Sequence, residues 1–441
     1  MYINLNRDLL SIKAVNGRNF CLYKPALEPL KAELEDFLID KEHLMNLDFA
    51  KKVMFSHEIK SNNNIEGIND SVQDIEEVIE IDKSISNTDL RNTLIMEFPE
   101  LSYLLEDEDK ALELANKLIL PRYLKKEKNN TVEVIEKVME KAKLIPNADK
   151  RNRILNLYRA YQYILEGNSI TEDNIANLYK IISKDLISPK ELSMMGEKYR
   201  NAPVYILYKG RLMDETTRNG IDKELIPEFI NNYLSFVNGD TFPIDSETDY
   251  FIKSQIMHFY FVYIHPYFDT NGRMSRTIAM WYLLNNKIYP YIIFNRGINF
   301  DSKYDDRIRR SETTFELTDF IKSMLINTKK ELEKEYVLQA LSLNTTRKWE
   351  AIDYQMIEYF LSLNGERNVI NLATVYNNNN EHIKLQSIYE DLVKPLIEDG
   401  TFVIERETKK NMFNNETNKI LKLNNNHLRD IDTEEIKHIK I

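Results

Sequence analysis

Apolar residues recur at three- and four-residue spacing over most of this chain, which predicts a mainly α protein. In residues 28–56, Leu30, Leu34, Phe37 and Leu38 form one stripe, followed by Leu44, Leu47 and Phe49. A second helical region runs from about 88 to 166, interrupted at Pro99, Pro121 and Pro146. A helix start falls at Thr171, whose hydroxyl can cap the free amides of the first turn while Ile170 packs on Ile175. That helix presents Ile175, Leu178, Ile181 and Ile182 to a core. Residues 203–208 are β-branched and aromatic, and Lys209-Gly210 follows, so they form one arm of a short hairpin. This is the best strand signal before residue 400. Residues 251–264 are apolar nearly all round, which predicts a helix at the centre of the fold. Another helix is predicted from about Asn271, with Met274, Ile278, Trp281 and Leu284 on one side. Asparagine clusters at 62–64, 377–380 and 424–426 mark loops or helix ends.

The last ninety residues or so read as a separate unit. Helices at about 351–364, 370–376 and 381–398 end at Gly400, and strand-like runs follow at 401–407 and 419–423. Three helices plus a hairpin is the winged helix-turn-helix order. Its candidate recognition helix carries Lys384 and Lys394 against Glu381, Glu390, Asp391, Glu398 and Asp399, a balance of 2 − 5 = −3. That is a poor footprint for DNA phosphates, although Arg406, Lys409, Lys410, Lys419 and Lys422 make the wing more basic. A protein-interaction or dimerisation role is the expectation, with DNA binding the minority reading.

Composition narrows the class. The 441 residues are 43% apolar and 29% charged, with 11 Gly and 12 Pro, so collagen-like and linker-dominated chains are excluded. The length allows two to four domains. The formal charge is 59 − 70 = −11, which argues against a nucleic-acid partner overall. Cys21 is the one cysteine, so no internal disulfide and no thiolate zinc site can form. No two of the seven histidines fall at a zinc-ligand spacing. The start lacks a basic cluster with an apolar run, and the apolar run from Phe259 to Ile264 is too short for a bilayer. A soluble, cytoplasmic protein without a membrane partner is the expectation.

The chemistry concentrates in residues 265–276, His-Pro-Tyr-Phe-Asp-Thr-Asn-Gly-Arg-Met-Ser-Arg. His265 ends a buried helix, and Pro266 cannot continue it. A short polar turn then delivers Asn271 and Gly272 to the start of the next helix, where free amides and the helix dipole suit a phosphate. Arg273 and Arg276 both lie near that end, and Asp269 supplies an oxygen of the kind magnesium prefers. A base, a carboxylate, an amide-lined turn and two guanidiniums are the parts of a transfer from a nucleotide. Each part alone has a plainer reading: a helix end, a turn, a solvated arginine pair. Their order after a buried helix is what separate coincidences do not explain. His258 reads as a packed core histidine, and Tyr304 as packing or as a stacking surface for adenine.

The segment resembles the signature of Fic-domain proteins, His-Pro-Phe-x-Asp/Glu-Gly-Asn-Gly-Arg-x-x-Arg. Seven of nine specified positions match: His265, Pro266, Asp269, Asn271, Gly272, Arg273 and Arg276. Tyr267 stands where Phe is usual and Thr270 where the first Gly is usual; a β-branched residue is strained there if the backbone needs positive φ. The flanks over about 165–330 are also similar, including Gly196–Arg200 and Leu317–Ile321. The resemblance implies a Fic-type helical core with a small β-hairpin flap and a protein adenylyltransferase moving AMP from ATP to a Ser, Thr or Tyr hydroxyl of a protein, itself included. It implies His265 as general base, Asp269 as the Mg²⁺ ligand, Asn271, Gly272 and the loop amides at the α-phosphate, and Arg273 and Arg276 at the β- and γ-phosphates. The flap would be Val204, Tyr205 and Ile206, and a homodimer is plausible for such cores. The expected organisation is 1–85 N-terminal helices, 86–165 a helical extension, 166–345 the Fic core and 350–441 the winged-helix-like unit. Transfer or removal of another nucleotide or phosphate group remains an alternative, as does a DNA-binding regulator with a degenerate core.

Residues 61–68 resemble the family's inhibitory motif, Ser/Thr-x-x-x-Glu-Gly/Asn, through Glu66 and Gly67; Asn62 stands at the hydroxyl position and Ser61 is one residue off. The resemblance implies that Glu66 pairs with Arg276 and takes the place of the γ-phosphate's partner. The plainer reading is a helix end with Gly67 as its C-cap.

Overall fold

The computed structural model describes residues 7–41, 55–66, 148–207, 217–288, 294–299, 301, 303–363, 365–380, 382–409 and 417–427, with most of 71–79. Leu44, Leu47, Phe49, Gly67, Pro99, Pro121, Pro146 and Tyr208–Gly210 lie outside them, as does the helical extension before 148. The order is β1 (Asp8–Lys13), β2 (Asn19–Leu22), α1 (Glu28–Lys41), α2 (Phe55–Ile65), α3 (Ala148–Leu165), α4 (Glu172–Ile182), α5 (Pro189–Ser193), β3 (Tyr205–Leu207) and β4 (Thr217–Asn219). It continues with α6 (Ile226–Asn238), α7 (Glu247–Ile264), α8 (Asn271–Asn285), α9 (Phe294–Asn299), α10 (Tyr304–Thr314) and α11 (Thr318–Leu343). The predominance of helix, with a few short strand pairs, agrees with the sequence pattern.

The apolar helix of the sequence is α7, and it lies at the centre. Phe251, Ile256, Phe259, Tyr260, Phe261 and Ile264 are all fully buried on its several faces. Burying such side chains contributes about 1.5–3 kcal/mol each. Its first turn is fixed by Asp249, which accepts from the Ser246 amide at 3.1 Å and pairs with Lys31 of α1 at 2.7 Å. The start of α4 is the capped one expected: Thr171 Oγ1 accepts from the Asn174 amide at 3.2 Å. Ile175, Leu178 and Ile182 are buried, while Ile181 lies at the edge of the core.

One feature departs from the sequence reading. The N-terminal strands β1 and β2 pair antiparallel, although the chain before residue 200 showed no clear strand signal. They form because Leu10, Ile12, Phe20 and Leu22 are buried, and Phe20 sits edge-on against Phe259 and Tyr263 at 5.2 Å. The first asparagine cluster is a helix end, one of the two alternatives its sequence offered: Asn62 to Asn64 fill the last turn of α2, with Asn62 and Asn63 buried.

The C-terminal part comprises α12 (Ala351–Ser362), α13 (Val369–Asn379), a helical run of Leu385–Ser387, Ile388–Val393 and Lys394–Glu398, and the antiparallel pair β5 (Phe402–Lys409) and β6 (Thr417–Leu423). The middle section of that run is wound as a π-helix. Met356, Ile357, Phe360, Leu372, Leu396 and Phe402 are buried within this part. It also touches α2. His57 Nδ1 lies 3.1 Å from Glu358, and Lys60 Nζ donates to the Tyr359 hydroxyl at 3.0 Å and to Asn380 at 3.4 Å. Arg296 of α9 sits among Glu58, Glu331, Glu335 and Glu358 at 2.5–3.9 Å, joining α2, α11 and α12. Among the described residues, no helix is long and apolar enough to cross a membrane.

Candidate active site

The site is the junction of α7 and α8. His265 caps α7 in the left-handed region (φ 53°, ψ 59°), where Pro266 turns the chain away. Its Nδ1 faces the Val262 carbonyl at 3.3 Å. A carbonyl only accepts, so Nδ1 carries the ring proton and Nε2 keeps the lone pair of a base. The imidazole is half-buried.

The turn after His265 is braced from two sides. The Asn271 side chain accepts from the Tyr267 amide at 3.0 Å and donates to the Tyr267 carbonyl at 2.9 Å. The Tyr267 ring, fully buried, stacks on Tyr179 with centroids 3.7 Å apart. Arg200 is the second brace. Its Nε donates to the His265 carbonyl at 2.9 Å, Nη1 to Ala202 at 2.9 Å and Nη2 to Ile221 at 2.6 Å. One buried guanidinium thus joins the histidine turn to both ends of the β3–β4 hairpin. In that hairpin Tyr205 pairs with Asn219 and Ile206 with Arg218, and Val204 accepts from the Gly220 amide at 2.9 Å. Ile206 is buried, while Tyr205 is 68% exposed. The sequence placed Arg200 in a similar flank without a task; nothing in its spacing connects it to residue 265.

Thr270 begins α8 with φ 69°, so the conditional strain is present. Its hydroxyl is buried with no hydrogen-bond partner among the described residues, and no side chain caps the first turn. The amides of that turn therefore face the site with the positive end of the helix dipole. Asp269 accepts from the Thr270 amide at 2.6 Å and lies 3.5 Å from Arg273; its carboxylate is 46% exposed.

The two arginines differ. Arg273 is buried, yet Nε and Nη1 have no partner among the described residues. Burial pulls its pKa below the ordinary value, against Glu66 and Asp269. Such donors fit an anion at the helix start. Arg276 is held by Asn62 of α2 and by Glu66, the residue after that helix. Its Nη2 donates to Glu66 Oε1 at 2.6 Å, and Nε and Nη2 donate to Asn62 Oδ1 at 2.9 and 2.7 Å. Burial alone would push the Glu66 carboxyl up; Arg276 and Arg273 outweigh it and hold it below the usual carboxylate range. Asn62 thus does more than fill the expected hydroxyl position: its amide oxygen takes two guanidinium donors. Gly272 explains how the carboxylate comes so close. A Cβ there would lie 2.5 Å from Glu66 Oε1 and 3.0 Å from Arg276 Nη1. Gly67 lies outside the described residues.

His258 and Tyr304 are both buried. His258 Nε2 lies 2.7 Å from the Tyr304 hydroxyl. Among the described residues, no group of three His, Cys, Asp or Glu side chains could hold a metal ion by itself. A divalent ion here fits only as magnesium commonly binds, through one carboxylate and the oxygens of a nucleotide.

Residues 169–283 match the model of the Fic/DOC family, a span that contains His265, Asp269, Asn271, Gly272, Arg273, Arg276 and both hairpin strands. A Fic family protein from Desulfovibrio desulfuricans G20 has a similar crystal structure, at 13% sequence identity and a TM-score of 0.48, covering 90% of this chain and 96% of that one. No curated protein matches the chain.

Proposed function

We propose that this chain is a Fic-type transferase that moves AMP from ATP to a hydroxyl side chain of a protein, itself included, and that Glu66 restrains it. The single observation that carries the reading is the 2.6 Å contact between Glu66 and Arg276, 210 residues apart in sequence. The second signature arginine already holds an anion, and that anion sits on a segment at the surface of the site.

In this reading His265 Nε2 takes the proton of the target hydroxyl. The oxygen attacks the α-phosphorus, the bond from that phosphorus to the bridging oxygen breaks, and pyrophosphate leaves. The uncapped amides at the start of α8 stabilise the charge on the phosphate oxygens. Arg273, with its unpartnered donors, binds the β-phosphate, and Arg276 binds the γ-phosphate once Glu66 yields. Asn271 keeps the turn in shape through the Tyr267 backbone. Asp269 would hold Mg²⁺, which neutralises charge between the phosphates when bound. The exposed edge of Tyr205 beside Val204 and Ile206 aligns the target as an added strand.

The test is incorporation from α-labelled ATP with Mg²⁺. Glu66→Gly should raise self-modification at least about tenfold, the worth of a charged hydrogen-bonded pair. His265→Ala should abolish incorporation in that background while the protein stays folded. Equal incorporation by Glu66→Gly and wild type discards the restraint, and label retained by His265→Ala discards the base. Mass spectrometry of the product identifies the transferred group.

A further inference from the structure

Three backbone carbonyls from separate parts of the site converge on one guanidinium. Arg200 is buried, and each of its three nitrogens donates to a different carbonyl: Nε to His265 at 2.9 Å, Nη1 to Ala202 at 2.9 Å and Nη2 to Ile221 at 2.6 Å. Its own amide donates to the Pro266 carbonyl at 3.0 Å. One residue therefore holds two successive carbonyls of the turn that carries the histidine and, with the same side chain, both roots of the β3–β4 hairpin. The proposed reaction uses the histidine and the hairpin but not what joins them.

Arg200 is itself fixed. The Gly196 amide donates to the Tyr199 carbonyl at 2.7 Å, and the Asn201 amide to the Met194 carbonyl at 2.8 Å, so residues 194–201 form a closed turn. The Tyr199 hydroxyl donates to Glu172 at 2.6 Å, and Lys198 donates to the same carboxylate at 3.0 Å, which ties that turn to the start of α4. Gly220 lets the hairpin close on the guanidinium: a Cβ there would lie 2.8 Å from Arg200 Nη2 and 2.6 Å from Val204 Cγ1. An arginine suits this place because its planar fork offers five donors and keeps its charge when buried.

We infer that Arg200 is a positioning residue that sets the spacing between His265 and the target-docking hairpin. This rests on the reading of His265 as the base and of the hairpin as the strand that aligns the target. His265 sits at φ 53°, a conformation that a residue other than glycine keeps only when its surroundings impose it. The bonds to carbonyls 265 and 266 impose it. A strand added to the hairpin presents its hydroxyl at a place the hairpin fixes, and Nε2 must meet that hydroxyl at hydrogen-bond distance. A drift of about 1 Å between the two costs about a hundredfold in rate. The nucleotide contacts begin at residue 269 and are braced separately, by Asn271 on the Tyr267 backbone, so ATP binding should not depend on Arg200.

The experiment compares the full-length Glu66→Gly protein with Glu66→Gly carrying Arg200→Lys or Arg200→Met. Calorimetry reads ATP-Mg²⁺ affinity, label incorporation reads the maximal rate and the half-saturating ATP concentration, and a thermal melt checks folding. Lysine keeps the charge, but its donors sit at one point and cannot span the three carbonyls. The maximal rate should fall about tenfold in Arg200→Lys and about a hundredfold in Arg200→Met. ATP affinity and the half-saturating concentration should stay within about twofold of the parent, a split that general loosening would not produce. If Arg200→Met does not fold, Arg200→Lys decides. An unchanged maximal rate in folded Arg200→Lys overturns the inference, and so does a loss of ATP affinity equal to the loss of rate. If the parent binds ATP yet incorporates no label, or His265→Ala in that background incorporates as much, the transferase reading fails first and takes this inference with it.

Discussion

Thr270 sits where the backbone bends into the left-handed region, a placement that costs a β-branched residue about 1–2 kcal/mol. Replacement by glycine removes that cost and adds back some unfolded-state entropy. Thr270→Gly should therefore stabilise the protein by about 1 kcal/mol in a denaturant titration; a loss of stability would show that the threonine methyl or hydroxyl packs better than the strain suggests. At this scale the sequence was informative wherever the residues are contiguous. His265 to Arg276 could be read because one turn and one helix start bring them together. The strain at Thr270 was readable too, given the sign of φ. Asn62 was not: an amide where a hydroxyl was expected looks like a mismatch until its oxygen is seen to accept from Arg276. Arg200 and Tyr304 were opaque for the same reason, since their partners lie 65 and 46 positions away.

Among the elements, α2 shows what sequence spacing leaves out. Glu58, Asn62 and Glu66 recur every four residues and face the arginines Arg296 and Arg276. His57 and Lys60 form the neighbouring stripe and face Glu358, Tyr359 and Asn380. The helix is therefore held between the site and the C-terminal part. Loosening its outer stripe should weaken the Glu66 contact without touching it. Lys60→Met and Tyr359→Phe should each raise incorporation up to about fivefold, the worth of one hydrogen bond of about 1 kcal/mol. Neither should add to Glu66→Gly, and initial rates of the single and combined variants check this. The burial of nine successive residues, Phe55 to Asn63, has no apolar signature: His57, Lys60 and Asn62 are buried with polar or charged partners on other elements, and Glu58 faces Arg296 at 3.8 Å. A hydropathy pattern cannot anticipate that. The N-terminal hairpin is the opposite case, four apolar residues too sparsely spaced to stand out until Phe20 meets α7.

At the scale of the whole molecule, the local elements of the C-terminal part were legible, since three helices and a hairpin follow from turn residues and β-branched runs. Its attachment was not, because Arg296 collects carboxylates from positions 58 to 358. Within that cluster burial pushes the Glu58 carboxyl up to about 8, with Arg296 opposing and Glu331 adding to the rise. An acid raised in the folded state favours folding below its ordinary value of about 4.5 and loses that contribution as pH rises through about 8. Stability should thus fall between those limits, and Glu58→Gln should flatten the decline in denaturation curves taken from pH 5 to 9. A parallel decline in the variant would assign the effect to other groups.

The position of Glu66 just past the last residue of α2 has one more consequence. Its side chain is about one-third exposed, whereas Asn62, a turn earlier, is sealed. Unwinding a single terminal turn frees the carboxylate while the amide keeps its grip on Arg276. In the proposed reading, release would then be graded with nucleotide concentration, a dimmer and not a switch.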